Sequence, residues 1–283
     1  MIKPMLCKEC SKPFDDLNYQ WELKYDGIRA LATVSDTGYS LQARSGSDKT
    51  RLFPELCLKT KSSAILDGEI VASSQNGKTE FNSIQHRANR LNGIHLAADK
   101  FPATYWVFDV LEVMGSNLRH TPLAKRRELL DAVLIPSQNV KLAPIFDDGV
   151  ALFEKAKTEH LEGIIGKSRL GSYQEGKREW LKIKVWQEDN FMVVGYTDGT
   201  GWRSTSFGAL VLSDMKGNYV GQVGTGFNDA DINELCQKFT PGVIPFAREP
   251  EPATWVKPFG VKVRYLEYTN DGMLRFPSFK GIV

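Results

Sequence analysis

Lys24 sits between two acids, Glu22 and Asp26, and is followed by Gly27 and Arg29, in the run Glu22-Leu23-Lys24-Tyr25-Asp26-Gly27-Ile28-Arg29. A primary amine in that setting suits a nucleophile at a phosphate site. A free lysine has a pKa near ~10.4, so roughly one in 2,500 is neutral at pH 7. Making it neutral costs about 4–5 kcal/mol unless nearby cations lower that pKa. The chain must therefore bring other lysines, arginines or a metal to Lys24. Lys-x-Asp-Gly alone fits an ordinary surface strand equally well, so the partners decide.

The elements that must position Lys24 are legible from alternation and punctuation. Residues 19–34 read as one strand, with Glu22, Lys24 and Asp26 on one face and Trp21, Leu23 and Tyr25 on the other. A turn at 35–38 leads into a second strand at 39–44, a hairpin that delivers Arg44 to a turn at 45–47. Residues 65–72 read as a buried strand interrupted by Asp67-Gly68, with Glu69 just past the glycine, and 81–90 as a helix carrying Arg87 and Arg90. The apolar run 105–111 predicts a central strand, its Asp109 a cap or a site residue. Thr121-Pro122 predicts a helix through Leu134, with Thr at the cap and Lys125-Arg126-Arg127 on its solvated face. A helix near 149–159 precedes a strand at 161–167 that starts at Glu162 and ends at Lys167.

The strand 180–186 is the second informative one. Leu181, Ile183 and Val185 make a core face, leaving Lys182 and Lys184 together opposite. Facing the same cavity as Lys24, these two would supply positive potential and suit an α-phosphate. Residues 1–18 read as an irregular lead-in broken by Pro4 and Pro13.

The totals narrow the class. The chain is long enough for two modest domains, and its 42% hydrophobic and 25% charged content is ordinary for a soluble globular protein. No apolar run reaches membrane-spanning length and no signal-peptide core is present, so the expectation is a cytoplasmic protein without a membrane partner. A net charge of +2 means that any DNA binding must come from local clustering. Cys7-x-x-Cys10 has metal-ligand spacing, but no second pair answers it, and reduced thiols are the default. After about residue 188 short strands alternate with glycine turns, and one helix near 230–239 follows Asn228-Asp229. That texture predicts a small β-barrel of the OB kind, with the domain cut near 187–189.

In order, Lys24-Tyr-Asp-Gly-Ile-Arg29, Ala43-Arg44-Ser-Gly46, Leu66-Asp-Gly-Glu69, Trp106-Val-Phe108-Asp109, Glu162-Gly-Ile-Ile-Gly-Lys167 and Lys182-Ile-Lys184 resemble the motif series of the covalent nucleotidyltransferases. Those are the ATP-dependent DNA ligases, RNA ligases and mRNA-capping guanylyltransferases. Val194-Gly-Tyr-Thr-Asp-Gly-Thr-Gly, Phe207-Gly-Ala-Leu, Val223-Gly-Thr-Gly-Phe227 and Leu274-Arg275-Phe-Pro-Ser-Phe-Lys280-Gly look like the ligase module of the bacterial and archaeal ligase D proteins.

The resemblance implies an α+β chain: an adenylation domain of ATP-grasp-like antiparallel sheets with helices at 1–187, and an OB-fold domain at 188–283. It implies that Lys24 takes AMP from ATP, that Glu22 lies at the adenine edge and that Phe108 stacks on the base. Glu69 is implied to meet the ribose or, with Glu162, Mg²⁺ or Mn²⁺. Arg29 and Arg44 would contact AMP and the 5′-phosphate of a nick, Lys182 and Lys184 the α-phosphate, and Lys167 the nucleotide. Arg275 and Lys280 would orient the pyrophosphate leaving group. The implied partner is nicked double-stranded DNA in repair or end joining, with a Ku-like recruiter as one route and a monomer as the expected state. The family's last motif continues into an Arg-x-Asp-Lys tail, whereas this sequence ends at Gly281-Ile282-Val283. An RNA ligase, a capping enzyme and an OB-fold binding module with an inactive catalytic half are the competing readings.

Overall fold

The computed structural model describes residues 2–73, 81–90, 92–246, 250, 252–269 and 271–283, excepting the side chains of 81, 82 and 202. It divides into two compact units, Met1–Val185 and Trp186–Val283.

In chain order the first unit contains β1 (Leu6–Glu9), β2 (Tyr19–Leu23), β3 (Ile28–Ser35), β4 (Gly38–Ala43), β5 (Lys59–Thr60) and β6 (Ala64–Ala72). Helices α1 (Phe81–Ala88) and α2 (Ile94–Lys100) follow, then β7 (Ala103–Val113), β8 (Ser116–Asn117) and α3 (Leu123–Val133). The remainder is β9 (Leu134–Ile135), β10 (Val140–Leu142), α4 (Gly149–Thr158), β11 (Gly163–Ser168) and β12 (Arg178–Lys184). Two sheets dominate: β1-β12-β11-β2, and β10-β7-β6-β3-β4 with β8 beside β7.

Period-two alternation sorts the side chains of both sheets into layers. In the larger sheet, Ala30, Leu66, Ile70 and Val107 face one core with Leu130 and Val133 of α3. In the smaller sheet, Trp21, Ile164 and Ile183 pack under Leu152 and Ala156 of α4. The inner faces meet through Leu31, Phe108 and Leu111 from the larger sheet and Trp180 from the smaller, with Met5 and Tyr173. Arg29, Asp67 and Glu69 occupy the inner-face positions of β3 and β6, and Glu22, Lys167, Trp180 and Lys182 those of β2, β11 and β12.

Several sequence expectations are corrected here. Residues 1–18 are not all irregular, because β1 pairs in parallel with β12, Cys7 opposite Trp180 and Glu9 opposite Lys182. Four residues show no periodicity by themselves, and the partner lies far along the chain. The strand through Lys24 is broken: β2 belongs to the smaller sheet and β3 to the larger, with Lys24–Gly27 crossing between them. A Cβ at Gly27 would overlap the carbonyl of Ile70, so only glycine lets the chain cross there. The break also sends Tyr25 to the inner core rather than to Trp21. Strand β6 runs unbroken through Asp67-Gly68, where a Cβ on Gly68 would sit 2.5 Å from Trp106 O.

The Arg126-Arg127 pair is buried rather than solvated. Arg126 holds Asp109 through two bonds of 2.8 Å, and Arg127 donates to the carbonyls of Phe108 (2.8 Å) and Ala143 (2.6 Å). Asp109 is therefore the anchor of a buried ion pair. Pro122, not Thr121, occupies the cap position of α3. Helix α1 ends at Ala88, with Arg87 buried against Glu55. Cys7 packs in the inner core and Cys10 in the layer under α4, so the two thiols are parted by the sheet and are free.

The second unit holds β13 (Gln187–Asp198), β14 (Phe207–Ser213), β15 (Tyr219–Val223), α5 (Asp229–Lys238), β16 (Thr254–Tyr265) and β17 (Ser278–Ile282). Its five strands run in the order β15-β14-β13-β16-β17 around Phe191, Leu210, Leu212, Val261, Val263 and Phe279. The segments at the two ends are drawn together where Leu274 N–H donates to Val220 O and Phe279 N–H to Thr225 O, both at 2.9 Å. Asn228 and Asp231 form a capping box at the start of α5. The unit is an OB-fold. No described helix is long and apolar enough to cross a membrane.

Candidate active site

The Lys24 amide donates to Gly163 O at 2.9 Å, which ties the residue to the start of β11 just past the end of its own strand. Its Nζ reaches Glu162 Oε2 at 2.5 Å, with one-fifth of the side chain exposed. A cavity of 120 Å³ opens beside it between the two sheets, lined by Cys7, Glu22, Tyr25, Arg29, Glu69, Phe108, Lys167 and Trp180 among others.

Electrostatics at Lys24 differ from the expectation that cations would dominate. Burial pushes its pKa down, but Glu162, Glu69 and Asp26 outweigh that and hold the ammonium above its usual range. The cations act instead on Lys184, whose pKa is lowered by burial and by Lys24 and Lys182. Lys182 reaches Glu9 Oε1 at 3.1 Å. Without a further positive charge near Glu162, Lys24 stays protonated.

Glu69 is pushed up to about 7 by burial, against the opposing pull of Arg29 and Lys24. Glu162 is also raised by burial, with Lys24 opposing. The charge of Glu162 also raises Glu69. Among the described residues no cluster of three His, Cys, Asp or Glu side chains could hold a metal. Two carboxylates, however, are what Mg²⁺ commonly takes from a protein when phosphate oxygens and water complete its shell. The pair fits such a cation.

Arg29 is held in place by Asp67, its Nε 2.5 Å from Oδ1 and its NH2 2.7 Å from Oδ2, and Tyr173 Oη donates to the same Asp67 at 2.6 Å. The Arg29 guanidinium lies 4.5 Å from the Phe108 ring and 5.0 Å from Trp180. At the far end of the cavity Lys167 is buried against Glu22. Phe108 lines the cavity, yet its ring already carries two cations at cation–π range.

Arg44 is exposed and lies outside this cavity. It lines an adjoining cleft of 430 Å³ with Lys49 and Gly27, and that cleft shares Arg29 and Glu69 with the first. Glu69 and Arg29 are thus the common wall. Arg275 and Lys280 belong to the second unit, where Arg275 NH1 meets Glu267 Oε1 at 2.5 Å and Lys280 is exposed on β17.

Sequence reasoning overlooked Trp180, Asp67 and Tyr173. Trp180 shares strand parity with Lys182 and Lys184, the pair expected to face the cavity, yet Trp180 lines it and the two lysines do not. Asp67 likewise shares parity with Glu69. Nothing in the sequence flags Tyr173, which arrives from a loop.

Residues 4–184 match the profile of the ATP dependent DNA ligase domain, and residues 200–282 that of the ATP dependent DNA ligase C terminal region. The chain is 30% identical over 299 aligned residues to the multifunctional non-homologous end joining protein LigD of Mycolicibacterium smegmatis, covering 99% of this chain but 38% of that protein. It is 28% identical to the SPbeta prophage-derived DNA ligase-like protein LigB of Bacillus subtilis, covering 99% of this chain and 98% of the relative. Among solved structures, the ligase domain of M. tuberculosis LigD matches with a TM-score of 0.58 at 28% identity, over 100% of this chain and 95% of that one.

Proposed function

The chain belongs to the ATP-dependent DNA ligase family, and from that premise we propose that it seals 3′-OH/5′-phosphate nicks in duplex DNA through an AMP carried on Lys24. The observation that carries the assignment is one amine, Lys24 Nζ, held 2.5 Å from Glu162 at the mouth of a narrow cavity whose far end is the Glu22–Lys167 pair.

In the first step Lys24 Nζ attacks the α-phosphorus of ATP. The Lys24 ammonium first yields a proton to solvent as the cations around the α-phosphate offset Glu162; the neutral amine then forms the nitrogen–phosphorus bond as the bond to pyrophosphate breaks, and a second proton leaves that nitrogen for solvent. AMP then passes to the 5′-phosphate of the nick, and the 3′-hydroxyl displaces it to close the strand. Lys182 and Lys184 bear on the α-phosphate, Arg29 on AMP, and Arg44 on the nick phosphate in the adjoining cleft. Phe108 stacks on the base, with Trp180 edge-to-face against Phe108 beside it. Glu69 and Glu162 would hold Mg²⁺ or Mn²⁺, which supplies charge stabilisation for phosphoryl transfer. Arg275 and Lys280 of the OB-fold unit orient the leaving pyrophosphate.

The relatives' names support a setting in repair and end joining; a Ku-like recruiter, a monomeric enzyme and a cytoplasmic location complete the reading. The test is intact mass after incubation with a divalent cation and, separately, ATP, GTP and NAD. An AMP adduct from ATP is expected, abolished in Lys24→Ala with the fold retained. An adduct of undiminished yield in that variant removes Lys24 from the role.

A further inference from the structure

Lys167 is the one sequence-predicted nucleotide contact that the fold turns into something else. Both Lys167 and Glu22 are 2% exposed, and Lys167 Nζ donates to Glu22 Oε2 at 2.6 Å. Among the described residues, further polar and charged groups face that carboxylate. Gln20 Nε2 donates to Oε1 at 3.2 Å from the same strand, and Arg127 NH1 stands 4.0 Å from Oε1 on α3. Tyr25 feels the carboxylate's charge from beyond the strand end. The Lys167 ammonium also sits 3.9 Å from the Phe108 ring centroid and 4.2 Å from that of Trp180. Asp109 on β7 acts on Lys167 electrostatically, as does Arg127. An ammonium has three donors. One is spent on Glu22, and two aromatic faces stabilise the remaining charge.

We infer that Lys167 is a positioning and specificity residue: by fixing the buried Glu22 carboxyl as an acceptor in the wall of the cavity, it makes the site select adenine over guanine. The inference rests on the reading above in which the cavity takes ATP and Glu22 meets the edge of the base. An ionised carboxylate only accepts hydrogen bonds. The exocyclic amine of adenine donates to it. Guanine presents a carbonyl oxygen at the same position, which would set two acceptors face to face in a site stripped of water.

Removing the lysine charge reverses this. Without the ammonium, the Glu22 carboxyl loses the donor that fixes its orientation and the charge that offsets its burial. The carboxyl can then turn away from the base, and the guanine carbonyl is accommodated. Lys167 touches no reacting atom in this scheme and acts through Glu22.

The experiment measures initial rates of AMP and GMP adduct formation from ATP and GTP on the full chain. In Lys167→Met the preference for ATP should fall about 10–100-fold, chiefly through KM. Equal losses with both nucleotides would show a purely structural lysine and overturn the inference. Glu22→Gln and Glu22→Gln/Lys167→Met provide a second route if the single lysine variant fails to fold. Because Lys167 acts through Glu22, the two should share one ATP-to-GTP ratio, close to unity. A further change of ratio in the double variant overturns the inference. A parent chain that forms no adduct from ATP defeats the ligase reading itself, whereas a parent that selects ATP beside an equally selective Lys167→Met defeats only the role of Lys167.

Discussion

Asp67→Asn asks whether the inner wall of the cavity is held by charge or by shape alone. Asp67 is fully buried and accepts three hydrogen bonds, two from Arg29 at 2.5 and 2.7 Å and one from Tyr173 at 2.6 Å. Arg29 is itself only 16% exposed, so water screens the pair little. Asparagine keeps the volume but turns one acceptor into a donor and leaves the guanidinium without its counter-charge. Breaking a buried pair from one side costs about 3–5 kcal/mol. The lower figure is expected, because Glu69 lies opposite Arg29 in the ladder and its charge already bears on the guanidinium. For a unit of this size each kcal/mol moves Tm by about 2–4 °C, so the first unit should melt roughly 6–12 °C lower. Calorimetry reads this directly, with the transition of the OB-fold unit as internal control. Tyr173→Phe alone should cost about 1 kcal/mol. The double variant should lose less than the sum, because both changes act on one carboxylate. A fall of under ~2 °C in Asp67→Asn would refute the reasoning, since the pair would then be worth no more than a surface one.

Three further outcomes follow from the same geometry. Glu69 has a folded pKa of about 7, above its unfolded value, so it retains a proton that the unfolded chain gives up. Its contribution to stability therefore falls as pH rises from the ordinary carboxylate range through 7; Glu69→Gln should raise Tm at pH 8 relative to the parent while cutting adduct formation, and a lower Tm there contradicts the assignment. Nick binding should weaken with salt along a log–log slope of roughly −4 to −5, for about 4–6 neutralised phosphates, although the net charge is only +2; titration by anisotropy at several salt concentrations measures it, and a flat response counts against Arg44 and its neighbours as phosphate contacts. Arg275→Ala should slow self-adenylation by ~10²–10³ while sparing the sealing of a nick that already carries 5′-AMP, since a contact made in one transition state affects that step; equal losses in the two assays would make Arg275 structural.

The motifs were legible because each carries its chemistry in a short window, and their order along the chain does the rest. Alternation also put Lys182 and Lys184 on one face and Leu181 and Ile183 on the other. What stayed hidden was pairing over distance. Arg126 and Arg127 look like solvent-facing charge in Lys125-Arg126-Arg127, and only Asp109 on β7 and two backbone carbonyls reveal them as buried. Asp67 looked like half of a turn, because the carbonyl and the ring that force a glycine at 68 come from β7. The crossover at Lys24–Gly27 has the same origin: nothing within 19–34 announces that Ile70 will press on Gly27. The sequence suggested a cationic surround for Lys24, and the fold supplies carboxylates as its nearest charges.

That crossover has a mechanical consequence. Glu69 rides on β6 in the larger sheet, Glu162 leads into β11 in the smaller, and Lys24 begins the segment that passes from one to the other. A ligand gripped by both acids and by Lys24 is a rivet through two plates. Its binding free energy opposes their parting, by about 2.7 kcal/mol at a hundredfold excess over Kd. A freely exchanging nucleotide holds the plates only while it is abundant. On the chemistry proposed above, AMP bonded to Lys24 cannot be diluted away, so the charged enzyme should keep its resistance to proteolysis and its slow amide exchange in both sheets after free ATP is removed. The intermediate is then a stored phosphoryl group and, equally, a fastener that outlasts the nucleotide pool that made it.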